Sequence, residues 1–312
     1  MRRAIVPIAM LIGMGTAMAQ PAPPATLAPQ APPRVLKYAL SPRPDPLTAW
    51  KTPNRPHYKL SEIVAAHPMP SWSQTVVQDE HFTGRFIQMA PGEKTKRLFY
   101  ADNEMFWVVQ AGQMRVHIEG LEPFLAGKSM IVQIPARTPF HTETAGDAPV
   151  LRFEVTHTGT LPIYADGETP TPVTGQDYVR VSYDAPPAPT LDPAKIYLDF
   201  DKDVVGGKVR AGRFLKSGSL IRGMSIPTPA RDDQGHWHTE TNEFYFIMEG
   251  QLDFQLEGQA PFIVEQGDVV YVPHGRYHRN NYTGGGMATR LAIFPTGNLN
   301  SLDPEHPSRQ AP

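Results

Sequence analysis

The sequence predicts an all-β chain assembled from two copies of one unit. Three observations point there. Prolines and glycines number 34 and 25 in 312 residues while apolar residues at helical spacing are scarce, a composition of short strands joined by turns. The segment Asn242-Glu243-Phe-Tyr-Phe-Ile-Met-Glu-Gly250 has a relative roughly 140 residues earlier, which marks an internal repeat. Finally, His236-Trp237-His238 is followed by Glu243 and by His278, at intervals punctuated by glycine and proline.

The chain opens on Arg2 and Arg3, continues through a mostly apolar Ala4–Thr16, and offers Ala17-Met18-Ala19 as a small-x-small cleavage site. Residues 1–19 are therefore expected to be a signal peptide and the mature protein periplasmic or secreted. The apolar run is too short and too glycine-broken to span a membrane. Residues 20–46 are proline-rich and predict an extended, semi-rigid linker. There is no cysteine, so neither a disulfide nor a lipid-bearing cysteine at the cleavage site is available. With 29 basic and 31 acidic residues, no field draws the chain to nucleic acid or to a membrane surface. A small molecule is the expected partner, and self-association into a homo-oligomer is left open.

The repeat divides what remains. Asn103-Glu104-Met-Phe-Trp-Val-Val-Gln-Ala-Gly112 pairs with Asn242–Gly250 if one residue is inserted before Gly112. Ile131–Pro135 then matches Val269–Pro273, and Leu151-Arg-Phe-Glu-Val matches Leu291-Ala-Ile-Phe. The two copies are expected over 47–184 and 190–302, joined by Ala185-Pro-Pro-Ala-Pro189. Sliding one copy along the other sets Arg97 and Phe99 where the second has His236 and His238, and His141 one position beyond the place of His278. The first copy is thus expected to hold no metal. Lys94, Lys96 and Arg97 are read as a solvated basic face, with an anion pocket as the alternative.

In the second copy, alternation along a strand turns His236 and His238 the same way and Trp237 the other. Phe244–Met248 predicts a further strand with Glu243 at its start, beyond a turn at 239–242, so that a hairpin sets three ligands on one wall. Imidazole and carboxylate suit a divalent transition ion, and no thiolate is present to select a soft one. Four protein ligands leave room for exchangeable ones, as in catalytic rather than closed structural sites. Tyr245, two residues after Glu243, is expected to face the same interior. Arg222 and Arg290 are read as facing water, with a substrate carboxylate as their alternative partner. Glu240 and Asn242 are placed at the mouth, His274 outside the pocket, and Asp232 and Asp233 in a loop.

Positions His236, His238, Glu243, Gly250, Gly267, Pro273, Gly275 and His278 together resemble the two-part signature of the cupin superfamily. That resemblance implies two jelly-roll barrels in tandem, a bicupin, with one divalent metal per chain on His236, His238, Glu243 and His278. Mn2+ or Fe2+ is implied first, with Cu2+, Zn2+ or Ni2+ as alternatives. Exported bicupins include manganese oxalate decarboxylases. This chain departs from them in its degenerate first copy, in four residues rather than three between His238 and Glu243, and in Asp233 where they carry arginine. The implied activity is a dioxygenase or decarboxylase acting on a small carboxylate or phenolic substrate, with Glu243 and Tyr245 as catalytic candidates. A non-enzymatic metal- or ligand-binding protein is the alternative.

Overall fold

Runs such as Met105–Ala111 and Glu243–Glu249 are apolar at nearly every position, the pattern of strands that are dry on both faces. The computed structural model, which describes residues 41–182, 191–205, 212–216, 222–228, 235–283, 288–295 and 299–302, shows why. The expected signal peptide, most of the 20–46 linker, the 185–189 linker, Asp232, Asp233 and the Arg222 side chain lie outside the described residues. Within 42–312 the strands form two sandwiches.

In the first, a six-stranded sheet runs in the order Tyr197–Asp199, Met130–Ile134, Met105–Ala111, Val150–His157, Phe82–Met89, Trp72–Gln78. It faces a five-stranded sheet of Pro162–Tyr164, Leu98–Tyr100, Phe140–Thr144, Met114–Ile118 and Phe124–Ala126. In the second, a six-stranded sheet runs His57–Tyr58, Val269–Val272, Glu243–Glu249, Ala288–Phe294, Arg222–Thr228, Gly212–Lys216, with Phe262–Glu265, Gln251–Leu256 and His278–Tyr282 forming the smaller sheet. All these pairings are antiparallel. The all-β, jelly-roll expectation holds.

Three cores follow from strand alternation. Trp107, Val109, Met114 and Val116 fill the first sandwich, and Tyr245, Ile247, Leu252 and Phe254 the second. The residues between them, Phe106 and Val108 on one strand and Phe244 and Phe246 on the other, join a third core where the two large sheets lie back to back. Phe153 stacks on Phe246 there, with ring centroids 4.9 Å apart and planes 13° apart.

The two halves also exchange edges. His57–Tyr58, far from the second copy in sequence, pairs with Val269–Val270 of its sheet. Tyr197–Asp199 pairs with Met130–Val132 of the first sandwich. Asp268 secures the first exchange, accepting from the Leu60 backbone N–H at 3.0 Å and lying 2.7 Å from His57 Nε2. Residues counted in the sequence with the tether are also tied down: the Arg43 guanidinium pairs with Glu257 and lies 5.5 Å over the Trp237 ring.

Register corrects the alignment of the copies. Trp107 sits opposite both Glu154 and Val132, and Tyr245 opposite both Ala292 and Val270. Both copies skip one residue of this strand, Gln110 and Met248, before a glycine at φ 71°. Side chains at Gly112 have no room either, since a Cβ there would meet the Pro149 carbonyl oxygen at 2.2 Å. The match is therefore ungapped. Met105 rather than Glu104 stands at the register of Glu243, and Arg152 rather than a residue before it at that of Arg290.

The back-to-back core and the exchanged edges generate a prediction. The fragment 190–302 lacks His57–Tyr58 and exposes Phe244 and Phe246, so it should aggregate where 42–302 is soluble. In the full chain, Phe153→Ala should cost about 3–5 kcal/mol of unfolding free energy. Denaturant unfolding and gel filtration read both; a monomeric, folded 190–302 fragment would contradict the account.

Candidate metal centre

The centre is built between the two sheets of the second sandwich, not on one hairpin wall. His236 makes an isolated bridge to His278, with reciprocal backbone bonds of 3.0 and 2.9 Å, so these two imidazoles come from adjacent strands of one sheet. Glu243 begins a strand of the opposite sheet, paired with Val272. The 239–242 turn carries the chain across the sandwich, which is why a local hairpin reading missed the geometry. Trp237 points away, as alternation requires, and its backbone bonds to Ser301, so the first residue of the expected loose tail is held.

The four side chains converge. One donor atom from each of His236, His238, Glu243 and His278 lies within 4.8 Å of all the others. Opposite ligands of one ion at roughly 2.1 Å each stand about 4.2 Å apart, so closure by a few tenths of an ångström makes a shell. Glu243 is 4 % exposed and His278 fully buried.

Backbone carbonyls set the imidazoles. His238 Nδ1 lies 2.9 Å from the Leu299 carbonyl oxygen and His278 Nδ1 3.1 Å from that of Arg276. Each Nδ1–H donates outward and leaves Nε2 aimed at the centre, the outer support usual for metal-bound histidine. His238 Nε2 then meets Glu243 Oε2 at 2.8 Å, and His278 Nε2 lies 3.3 Å from the same oxygen without a hydrogen bond. A buried ring nitrogen left without a hydrogen bond is costly unless something else occupies its lone pair. The donor set and this orphaned nitrogen both fit a divalent ion.

Electrostatics agree. Full burial would push the Glu243 carboxyl up, yet the His238 and His278 imidazoles hold it well below the carboxylate range. Burial would pull His238 down, but the bond to Glu243 outweighs it and raises the imidazole above its ordinary 6.5. Without an ion, each group thus favours the charged form of the other, an imidazolium beside a carboxylate, and an ion competes with the proton on His238.

Tyr245 lies where the sequence placed it: its hydroxyl donates to Glu243 Oε2 at 2.6 Å. Arg290 does not face water. It is 6 % exposed, with its guanidinium 5.6 Å over the Tyr245 ring. Glu240 is exposed, whereas Asn242 is buried as a brace. Its amide reaches Glu80 of the first copy at 3.0 Å, and its carbonyl accepts the His274 N–H at 3.0 Å. His274 lies 3.3 Å from Thr48 and is not among the converging ligands. Sequence reasoning missed Gly235 and Asn280. Gly235 has φ 69° and a Cβ there would strike the Tyr277 hydroxyl at 2.2 Å, so it lets the His236 strand pass close to the His278 strand. Asn280 follows His278 by two residues on the same face and is buried.

The same four places in the first copy are apolar or aromatic. Leu98 opposes Phe140 as His236 opposes His278, and Met105 stands for Glu243. Leu98 and Tyr100 therefore replace His236 and His238, one register from the expected Arg97 and Phe99. Met105 and Phe140 are buried, with Leu98 and Tyr100 packed on them. His141 instead stacks on His117, ring centroids 4.2 Å apart. Arg97 pairs with Glu119 and Lys94 with Glu143 on the surface, as a solvated basic face would.

Residues 224–294 match the family model of the cupin domain. No curated protein matches the chain. Among solved structures, a variant of oxalate decarboxylase from Bacillus subtilis is 15 % identical over 78 % of each chain, with a TM-score of 0.48. A cupin 2 conserved barrel domain protein from Leptotrichia buccalis is 12 % identical over 77 % of this chain and 95 % of its own, with a TM-score of 0.47. The second sandwich is a cupin domain, and the first repeats its architecture without its ligands.

A titration checks the centre. Metal-free protein should take up one Mn2+ per chain and release about one proton, since the ion replaces the His238 proton. Affinity should fall on acidification through the imidazole range. The metal-free fold should show the opposite trend at the upper end. The raised His238 stabilises it below 6.5 and loses that contribution as pH rises, whereas the depressed Glu243 stabilises it above 4.5 and loses it as pH falls. His278→Ala should abolish uptake and His141→Ala leave it intact; two ions per chain would overturn the assignment.

Proposed function

We propose that this chain is an exported, metal-dependent bicupin enzyme acting on a small carboxylate or phenolate by dioxygenase or decarboxylase chemistry. The observation that carries the reading is the Tyr245 hydroxyl hydrogen-bonded at 2.6 Å to the ligand Glu243, in a buried interior that also contains the Arg290 guanidinium. His236, His238, Glu243 and His278 would hold one divalent ion, Mn2+ or Fe2+ before Cu2+, Zn2+ or Ni2+. When bound, the ion would supply Lewis-acid polarisation of a substrate oxygen.

The chain's own residues do the rest. The Tyr245 hydroxyl donates to Glu243 Oε2 and fixes the direction of its carboxylate. The Arg290 guanidinium, over the Tyr245 ring, supplies the positive charge that a substrate carboxylate needs once stripped of water. The apolar walls, Ile247, Leu252 and Val270, keep solvent out. A tyrosine hydroxyl bonded to a metal ligand supports an enzyme over a simple metal store.

Turnover decides between enzyme and binder. Protein loaded separately with Mn2+, Fe2+ and Cu2+ should consume oxygen or release carbon dioxide with one member of a panel of small organic acids, diphenols and flavonols. Tyr245→Phe should lower the rate about tenfold or more with metal content unchanged, and Glu243→Ala should abolish it. Tight reversible ligand binding without turnover in any loading would instead favour the non-enzymatic alternative.

Export rests on Arg2, Arg3 and Ala17-Met18-Ala19. Among the described residues no helix is long and apolar enough to cross a membrane. Intact mass of the protein recovered outside the cytoplasm should correspond to a chain starting at Gln20; a chain starting at Met1 would refute the periplasmic or secreted assignment.

A further inference from the structure

The first sandwich lost its metal ligands but is not inert inside. On the inner face of its large sheet, Arg85, Glu154 and Trp107 stand abreast on three neighbouring strands. Ala292 holds the place of Glu154 in the second copy, and Met224, opposite it, the place of Arg85, so this charged row belongs to the first copy alone.

The row carries one positive charge in excess. Arg152 neutralises Glu154, with Nε and Nη2 at 3.1 and 3.0 Å from Oε2, and both side chains are buried. Arg152 is further occupied by Met89 Sδ at 3.0 Å. Arg85 is different. Its Nε lies 3.7 Å from Glu154 Oε1, beyond hydrogen-bonding reach, and among the described residues its guanidinium makes one long hydrogen bond, 3.4 Å from Nη2 to the Thr156 hydroxyl. Arg85 Nε is buried without a hydrogen-bond partner, and so is Trp107 Nε1, whose residue is fully buried. Two orphaned donors on one row, one of them on a cation, are expensive to leave empty.

What would satisfy them is an acceptor that carries negative charge. Leu98 and Phe140 stand on the facing sheet and Met105 two residues from Trp107 on its own strand, apolar residues at places where the second copy keeps ligands. Tyr100, beside them, faces the same charged groups, and its hydroxyl is held protonated, by burial first and by Glu154 second, so it adds no negative charge. Arg85 itself is reached by solvent, its side chain being 34 % exposed, which gives an entry. We propose that the interior of the first sandwich is a second binding site, taking a small carboxylate with an apolar body between the Arg85 guanidinium and the Trp107 indole N–H.

Calorimetry with benzoate on chelator-treated protein tests this without a metal to coordinate the carboxylate. One benzoate per chain should bind, and uncharged benzamide at least tenfold more weakly. Arg85→Gln should weaken benzoate about tenfold to a hundredfold, the loss of a charged hydrogen bond. Trp107→Phe keeps an aromatic ring and removes the donor, and should weaken it by about twofold to tenfold, which keeps the test decisive if the arginine variant does not fold. No binding to the wild-type chain, equal binding of benzamide, or unchanged affinity in either folded variant would overturn the proposal.

Discussion

The back-to-back contact of the two large sheets constrains everything else. Because Phe106, Val108, Phe153, Phe244 and Phe246 are committed to it, each large sheet is dry on both faces. Alternation then leaves only every second residue of each strand for chemistry. Tyr245 and Ile247 face inward because Phe244 and Phe246 face the partner sheet. Glu243 inherits its direction from the same parity. A one-residue slip would send the carboxylate into the shared core and a phenylalanine to the metal centre. The ligand strand is held against such a slip by its apolar neighbours and by Asn242, which the first copy grips through Glu80.

Much of the centre was legible because its signals are local or punctuated. His236 and His238 sit two apart on an extended segment, and Glu243 heads an apolar strand. Fold class and the existence of a repeat were legible for the same reason. What escaped the sequence is parity between distant strands. The expected insertion before Gly112 rested on the shared Asn-Glu pair, yet both copies skip a residue at the same point, so the copies align without a gap. That error of one residue set Arg97 and Phe99, rather than Leu98 and Tyr100, at the ligand places. Arg290 escaped because charge argues for water, while its inward direction follows from the register of Ile247 opposite it. The carbonyls of Leu299 and Arg276, which orient two imidazoles, carry no side-chain signature and are invisible to any reading of residue types.

The two copies have diverged by relocating polarity within one scaffold. In the second, polar groups gather at one end of the sandwich, where three imidazoles meet a carboxylate. In the first, those places are closed by Leu98, Tyr100, Met105 and Phe140, and charge has moved to the middle of the large sheet with Arg85, Arg152 and Glu154. One element survives in both: an arginine guanidinium over an inward aromatic ring, Arg152 over Trp107 at 5.7 Å and Arg290 over Tyr245 at 5.6 Å. Burying a guanidinium needs a partner, and the aromatic face supplies part of one in each copy.

The exchange of edge strands bears on how the chain comes apart. His57–Tyr58 closes the sheet of the second copy and Tyr197–Asp199 that of the first, so neither can melt while the other remains intact without leaving an open sheet edge and a bare aromatic face. The chain should therefore behave as a single cooperative unit despite its two sandwiches, losing both in one transition. For the same reason a single cut between the copies would not release them. The severed pieces would stay entangled through the borrowed strands, and an ion held in the second sandwich would stabilise the first, though it touches none of its residues.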